Sequence, residues 1–151
     1  MKTALYAGSF DPFTNGHLDI LKQSCLLFDK VIIAVANNSD KNSFLPVEKR
    51  LDIIKKSTAD LNNIEVASYD GLTVEYAKQC GANVLVRGIR NSTDFEYEKQ
   101  IANTNALLNP EIKTILLMPK PENSFISSTI VREIYLNGGD VSKLVPVCDY
   151  K

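Results

Sequence analysis

Apolar residues fall along this chain in two alternating periods. Short β-branched runs are followed by stretches with apolar positions three and four residues apart. Thr3 to Ala7 is an apolar run closed by Gly8, and Val31 to Ala36 is continuously apolar. A run without alternation suits a strand covered on both faces, as in a parallel sheet. Ile64–Ala67, Val84–Val86 and Thr114–Met118 read as three further strands. Between them, Leu18, Leu21, Cys25 and Phe28 mark a helix face over His17 to Phe28. Pro46 opens a second helix that carries Val47, Leu51 and Ile54, and Thr73 to Cys80 forms a third, stopped by Gly81. Thr93-Asp94-Phe95-Glu96 has the form of a capping box and predicts a helix running towards Asn109-Pro110. Ser127-Ser128 open a last helix, with Ile130, Ile134 and Val131 expected inward until Gly138-Gly139.

Strand and helix in strict alternation predict one doubly wound α/β domain over residues 1–151. Its five-stranded parallel sheet carries helices on both faces, a Rossmann-like architecture. Ligands in such sheets bind outside the carboxyl ends of the strands, so the loops that follow the strands are where chemistry belongs.

Composition narrows the partners. A formal net charge of -1 argues against a general nucleic-acid or anionic-membrane surface, so an anionic ligand needs a local group of cations. No apolar run is long enough to cross a bilayer, and the start does not read as a signal peptide, which points to the cytoplasm. Cys25, Cys80 and Cys148 are widely spaced and form no CxxC pair, as expected of free thiols rather than of a metal or redox centre.

Three constellations lie after strands. The first, Gly8-Ser9-Phe10-Asp11-Pro12-Phe13-Thr14-Asn15-Gly16-His17, joins a strand to a helix start, where free amides and partial positive charge suit a phosphate. His17, the sole histidine, could donate there to phosphate oxygens, more strongly if protonated; it could equally be a capping or surface residue. The glycine turn alone lacks both the dinucleotide fingerprint and the Walker pattern. The second is Arg87-Gly88-Ile89-Arg90, whose forked guanidiniums match phosphate oxygens, or else belong to a solvated loop. Lys41, in a polar loop, would add a cation on the same edge or simply be exposed. The third, Ser124-Phe125-Ile126-Ser127-Ser128-Thr129, sets consecutive hydroxyls at a helix start, more than a simple N-cap needs.

These motifs together resemble the nucleotidyltransferase superfamily. With Thr14 in place of the first motif histidine, and with Asp94-Phe95-Glu96-Tyr97-Glu98, they resemble in particular the bacterial phosphopantetheine adenylyltransferase family, over essentially the whole chain. The resemblance implies adenylyl transfer from ATP to 4′-phosphopantetheine, giving dephospho-coenzyme A and pyrophosphate by direct in-line attack. It implies catalytic roles for His17, Lys41 and Arg90. Ser9, Phe10, His17, Gly88, Ile89, Arg90, Glu98, Asn123, Ser124, Phe125, Ile126, Ser127, Ser128 and Thr129 would bind ATP. Ser9, Lys41, Thr73 and Arg87 would bind the acceptor. It further implies Mg2+ carried by the ATP phosphates with no metal site of the protein's own, a homohexamer, and coenzyme A as a feedback ligand. Two departures stand out: Asn123 where many members carry an aromatic residue, and a chain running to Lys151 where many continue into another short helix.

The rivals are a sister transferase acting on nicotinamide mononucleotide, a CTP-dependent relative, a catalytically silent nucleotide-binding module, and a flavodoxin-like domain. The relatives generally keep the first motif histidine that Thr14 replaces. A silent module is at odds with intact His17, Lys41, Arg87 and Arg90, and a flavodoxin-like domain gives those residues no role.

Overall fold

The computed structural model describes residues 1–37 and 42–151. Strand β1 (Thr3–Gly8) lies at the centre of a five-stranded sheet with β2 (Lys30–Ala36), β3 (Ile64–Tyr69), β4 (Val84–Gly88) and β5 (Lys113–Leu117). The spatial order is β3-β2-β1-β4-β5, and every pairing is parallel. Helices α1 (Asn15–Leu27), α2 (Val47–Ser57), α3 (Thr73–Gln79), α4 (Ser92–Leu108) and α5 (Ser128–Leu136) connect and flank the strands. A 3-10 turn spans Pro121–Asn123.

Side chains alternate across β1 as the pleat requires. Ala4 and Tyr6 join one core with Ile20 and Leu21 of α1 and Ile53 and Ile54 of α2. Leu5 and Ala7 join another with Val74 and Ala77 of α3. Two separate cores on opposite faces are the packing consequence of the doubly wound order. Each fully buried aliphatic side chain, such as Leu5 or Ile53, contributes about 1.5–3 kcal/mol relative to exposure. A third cluster, Ile126, Val131, Val141 and Val145, seats α5 and the segment after it.

Two sequence expectations need correction. The cap of α4 is Asn91, whose side chain accepts from the Asp94 amide at 2.9 Å, not Thr93, which is exposed. In α5 it is Val131 that is fully buried, while Ile130 is 40 % exposed, because the helix turns its face toward Val141 and Val145 rather than toward the sheet.

The order also places a switch point. From β1 the chain moves to β2 on one side, whereas β4 lies on the other, so a crevice opens at the carboxyl ends of β1 and β4.

Candidate active site

The crevice is a cavity of about 340 Å³ at the ends of β1 and β4, walled by the starts of α1 and α5. The three constellations converge there. Ser9, Phe10 and His17 come from the first, Arg87, Gly88 and Arg90 from the second, and Asn123, Ile126, Ser127 and Ser128 from the third, with Glu98 of α4 beside them. Any side chain would be crowded at two places in the lining. A Cβ on Gly8 would come within 3.2 Å of the Phe10 ring, and one on Gly88 within 3.0 Å of Ile20.

His17 combines the two roles left open by sequence. It is the third residue of α1 in a reciprocal capping box: its amide donates to Thr14 Oγ1 at 3.3 Å, and the Thr14 amide donates to His17 Nδ1 at 3.0 Å. Nδ1 is therefore an acceptor, and the ring's proton sits on Nε2. Burial, and then the charges of Arg87 and Arg90, push its pKa down from 6.5 to about 3. His17 is thus a neutral donor with a single N–H to offer. Phe13 stacks on the ring (23° between planes) and Phe10 meets it edge-on (88°), which restricts its rotation. The sequence signal for this box was available in Thr14, but histidine replaces the usual Glu or Gln as the reciprocating residue.

The two arginines differ. Arg87 donates from Nε and Nη2 to both oxygens of Glu98 (2.9 and 2.8 Å) and from Nη1 to the Ala7 carbonyl (2.6 Å). Burial works against its charge, but the Glu98 carboxylate outweighs that and holds the guanidinium charged. One hydrogen remains on each of Nη1 and Nη2 for a ligand. Arg90 grips the Asp94 carboxylate from Nε and Nη2 (2.8 and 3.1 Å), and this pair is more exposed.

The hydroxyls at α5 all have structural partners. Ser127 accepts from the Ile130 amide, Ser128 donates to the Pro12 carbonyl, and Ser124 donates to the Pro121 carbonyl. Thr129 accepts from Arg132 Nη2 at 3.3 Å. The Ile89 amide is spent on the Leu117 carbonyl, and Phe125 is exposed. Neither Ile89, Ser124, Phe125 nor Thr129 lines the cavity. Lys41 lies outside the described residues.

A second cavity, about 200 Å³, adjoins the first and shares Ala7, Gly8, Arg87 and Glu98 with it. Thr73 lines it, hydrogen-bonded to the Tyr69 hydroxyl at 2.8 Å, together with Leu85, Ile101 and Asn105. The Arg87–Glu98 pair is therefore the partition between two ligand-sized spaces.

Sequence reading missed Asp19. Its carboxylate accepts from the Lys120 amide (2.7 Å), Asn123 Nδ2 (3.0 Å) and Gln23 (2.9 Å), pinning the turn at Pro121–Asn123 to α1. Desolvation opposes ionisation there, yet these hydrogen bonds prevail and hold the carboxyl below its ordinary value. Nothing local in the sequence marks such a tie, because its partners lie far along the chain.

Among the described residues no group of three or more His, Cys, Asp or Glu side chains could hold a metal. The carboxylates lining the cavity, Asp94 and Glu98, are both engaged by arginines. A divalent cation held by a ligand's own phosphates is compatible with this lining; a protein-built cage is not. No described helix is long and apolar enough to cross a membrane.

Comparison with known proteins agrees with this architecture. Residues 5–134 match the cytidylyltransferase-like family model. The chain is 50 % identical to the phosphopantetheine adenylyltransferase of Nautilia profundicola over 143 residues, covering 95 % of this chain and 93 % of that one. It is 53 % identical to the phosphopantetheine adenylyltransferase of Trichodesmium erythraeum, covering 95 % and 85 %. Among solved structures, that of a candidate nicotinate-nucleotide adenylyltransferase from Vibrio parahaemolyticus superposes with a TM-score of 0.71 at 19 % identity, covering 96 % and 94 %, which is a likeness of fold.

Proposed function

The chain belongs to the cytidylyltransferase-like family and, within it, to the phosphopantetheine adenylyltransferases, and from that premise we propose how its residues carry out the reaction. The reaction is transfer of an adenylyl group from ATP to 4′-phosphopantetheine, giving dephospho-coenzyme A and pyrophosphate in coenzyme A biosynthesis. An acceptor phosphate oxygen attacks the α-phosphorus, a new P–O bond forms, and the bond to the bridging oxygen of the pyrophosphate breaks. No covalent enzyme intermediate is needed, so the protein's work is alignment and stabilisation of developing charge.

The observation that carries this reading is the neutral His17, oriented by Thr14 and lining the cavity at the ends of β1 and β4. Its Nε2–H donates to an oxygen of the α-phosphate as charge builds. A neutral donor aimed at a forming charge gains most in the transition state. Arg90 and the α5 start, Ser127 and Ser128, receive the outer phosphates of ATP, while Ser9, Phe10, Gly88, Glu98, Asn123 and Ile126 enclose the nucleotide. Arg87, with its remaining hydrogens, and Lys41 hold the acceptor phosphate. The second cavity, with Thr73, takes the pantetheine arm, so the Arg87–Glu98 partition stands where the two substrates meet.

Ser127, Ser128 and Arg90 would orient the ATP phosphates that carry Mg2+, which would supply further charge neutralisation there when bound. Coenzyme A presents the same adenylate and pantetheine halves as the product, which supports feedback through the same two cavities. The apolar Leu26, Leu27, Leu107 and Leu108 are exposed on α1 and α4 and would be covered in a homohexamer. The same reading puts the work in the cytoplasm.

The test is pyrophosphate release from ATP and Mg2+, with 4′-phosphopantetheine, nicotinamide mononucleotide or glycerol 3-phosphate as acceptor. Release with 4′-phosphopantetheine alone is expected. Release only with another acceptor would overturn the acceptor, and silence with all three would overturn catalysis.

A further inference from the structure

Phe10 has φ +48°, the sole non-glycine residue in the left-handed region among those described. A bulky aromatic residue held there needs its surroundings to impose the conformation. The carbonyls on either side of it are each gripped by a guanidinium from a distant helix. Arg50 of α2 donates from Nη1 to the Ser9 carbonyl at 2.8 Å, and Arg132 of α5 donates from Nη1 to the Asp11 carbonyl at 2.7 Å.

Arg50 closes a circuit. Its Nε donates to the Leu45 carbonyl at 3.0 Å, while both Asp11 carboxylate oxygens accept from the amides of Phe44 (2.7 Å) and Leu45 (2.8 Å). Turn, loop and α2 are thereby locked to one another through side-chain-to-backbone bonds. Arg50 is only 5 % exposed, and among the described residues neither it nor Arg132 has a carboxylate within ion-pair distance. Both direct a donor at a main-chain carbonyl of the turn, Arg132 also donating from Nη2 to Thr129 Oγ1, which fixes peptide planes. They do so from behind the turn, since both line a separate cavity with Ser9 and Asp11 and neither reaches the cavity that holds His17.

We propose that Arg50 and Arg132 are positioning residues that clamp the Ser9–Asp11 turn, holding Phe10 edge-on to His17 and Ser9 at the reacting phosphates. The consequence for turnover rests on the adenylyl-transfer reading; the clamp itself does not. Lysine keeps the charge but lacks the fork, so it can reach only one of the partners that Arg50 or Arg132 joins.

The experiment compares wild type, Arg50→Lys, Arg132→Lys and the double variant. It measures steady-state turnover with ATP and 4′-phosphopantetheine, and amide hydrogen exchange of the peptides covering the whole chain. Each single variant is expected to lower kcat about tenfold to a hundredfold, as sub-ångström misplacement of reacting groups does. KM for ATP should change by no more than about threefold, because the ground-state contacts remain. Exchange over residues 9–13 should quicken about tenfold while the β1 and β2 core keeps its protection. The double variant should be no slower than the worse single, since one released carbonyl already frees the turn. Full kcat in folded variants, or exchange loosened evenly throughout the domain, would overturn the clamp. Should Arg50→Lys fail to fold, Arg132→Lys tests the same clamp from the α5 side, with the same outcomes for and against it. Should wild type itself show no turnover, the reaction reading fails and the exchange of residues 9–13 still decides the clamp.

Discussion

The two helix starts that wall the cavity at the ends of β1 and β4 are built on the same plan and solve different problems. At α1 the cap and the functional donor are one unit: Thr14 and His17 satisfy each other, two phenyl rings pack on the imidazole, and a single N–H is left over. At α5 the cap Ser127 and its neighbours Ser128 and Thr129 are each tied elsewhere, and the mouth is more open, with Thr129 and Ile130 exposed. A directional donor needs one rigid atom, while a polyphosphate needs several adaptable ones. The difference teaches that hydroxyls in series are not by themselves free ligands. Here Ser128 ties α5 to the turn after β1, while Ser127 and Thr129 accept from their own helix, so it is a hydroxyl proton and the nearby amides that remain to be donated.

The comparison breaks most sharply at His17. His17→Ala should lower kcat by about a hundredfold or more, on the scale of losing one preorganised donor, while ATP binding by calorimetry persists. Equal turnover in that variant would mean that the α1 start has no more directional role than the α5 start.

Acid should distinguish the two mouths next. The folded-state pKa of His17 lies near 3 and its ordinary value is 6.5, so the unfolded chain binds the extra proton first. Its contribution to stability is therefore intact above the unfolded value and declines as pH falls below it. Urea unfolding should show wild type losing about 1 kcal/mol more than His17→Gln between about pH 7.5 and pH 5.5. For the same reason turnover should show no inflection near 6.5 from this ring.

Removing the caps sharpens the contrast at smaller scale. Thr14→Ala and Ser127→Ala should each cost about 1 kcal/mol in urea denaturation. Ser127→Ala should raise KM for ATP with kcat little changed. Thr14→Ala should leave KM alone, because the Thr14 amide still holds Nδ1. A rise in KM for both alike would erase the distinction.

The smallest effect belongs to the more exposed ion pair. Asp94→Asn should change stability by less than about 1 kcal/mol, as for partly solvated pairs, and show itself instead as a modest rise in KM for ATP when Arg90 loses its brace.

How much of this was written in the sequence can be argued residue by residue. The continuous apolar run of β2, the period of α2 and the glycine after α3 are local signals, and they located those elements within a few residues. The cap of α4 was misplaced by two residues because Asn91 and Thr93 are both good capping types, and only backbone geometry chooses between them. The three loop constellations were legible as candidates because glycines, arginines and hydroxyls after strands are rare enough to notice. Asp19, Arg50 and Arg132 were not, since a buried charge that binds main-chain groups of another element looks in sequence like any charge on a helix.

The amino-acid sequence by itself thus determined the element order and the parallel sheet, because periodicity and breakers are properties of contiguous residues, and its motifs carried the resemblance to the family. Tertiary structure decided the rest. It alone set the tautomer and neutrality of His17, engaged Arg87 with Glu98 as a partition between two cavities, and held Phe10 in a left-handed turn. Each of these depends on desolvation or on hydrogen bonds between residues far apart in the chain, and neither quantity exists until the chain has folded.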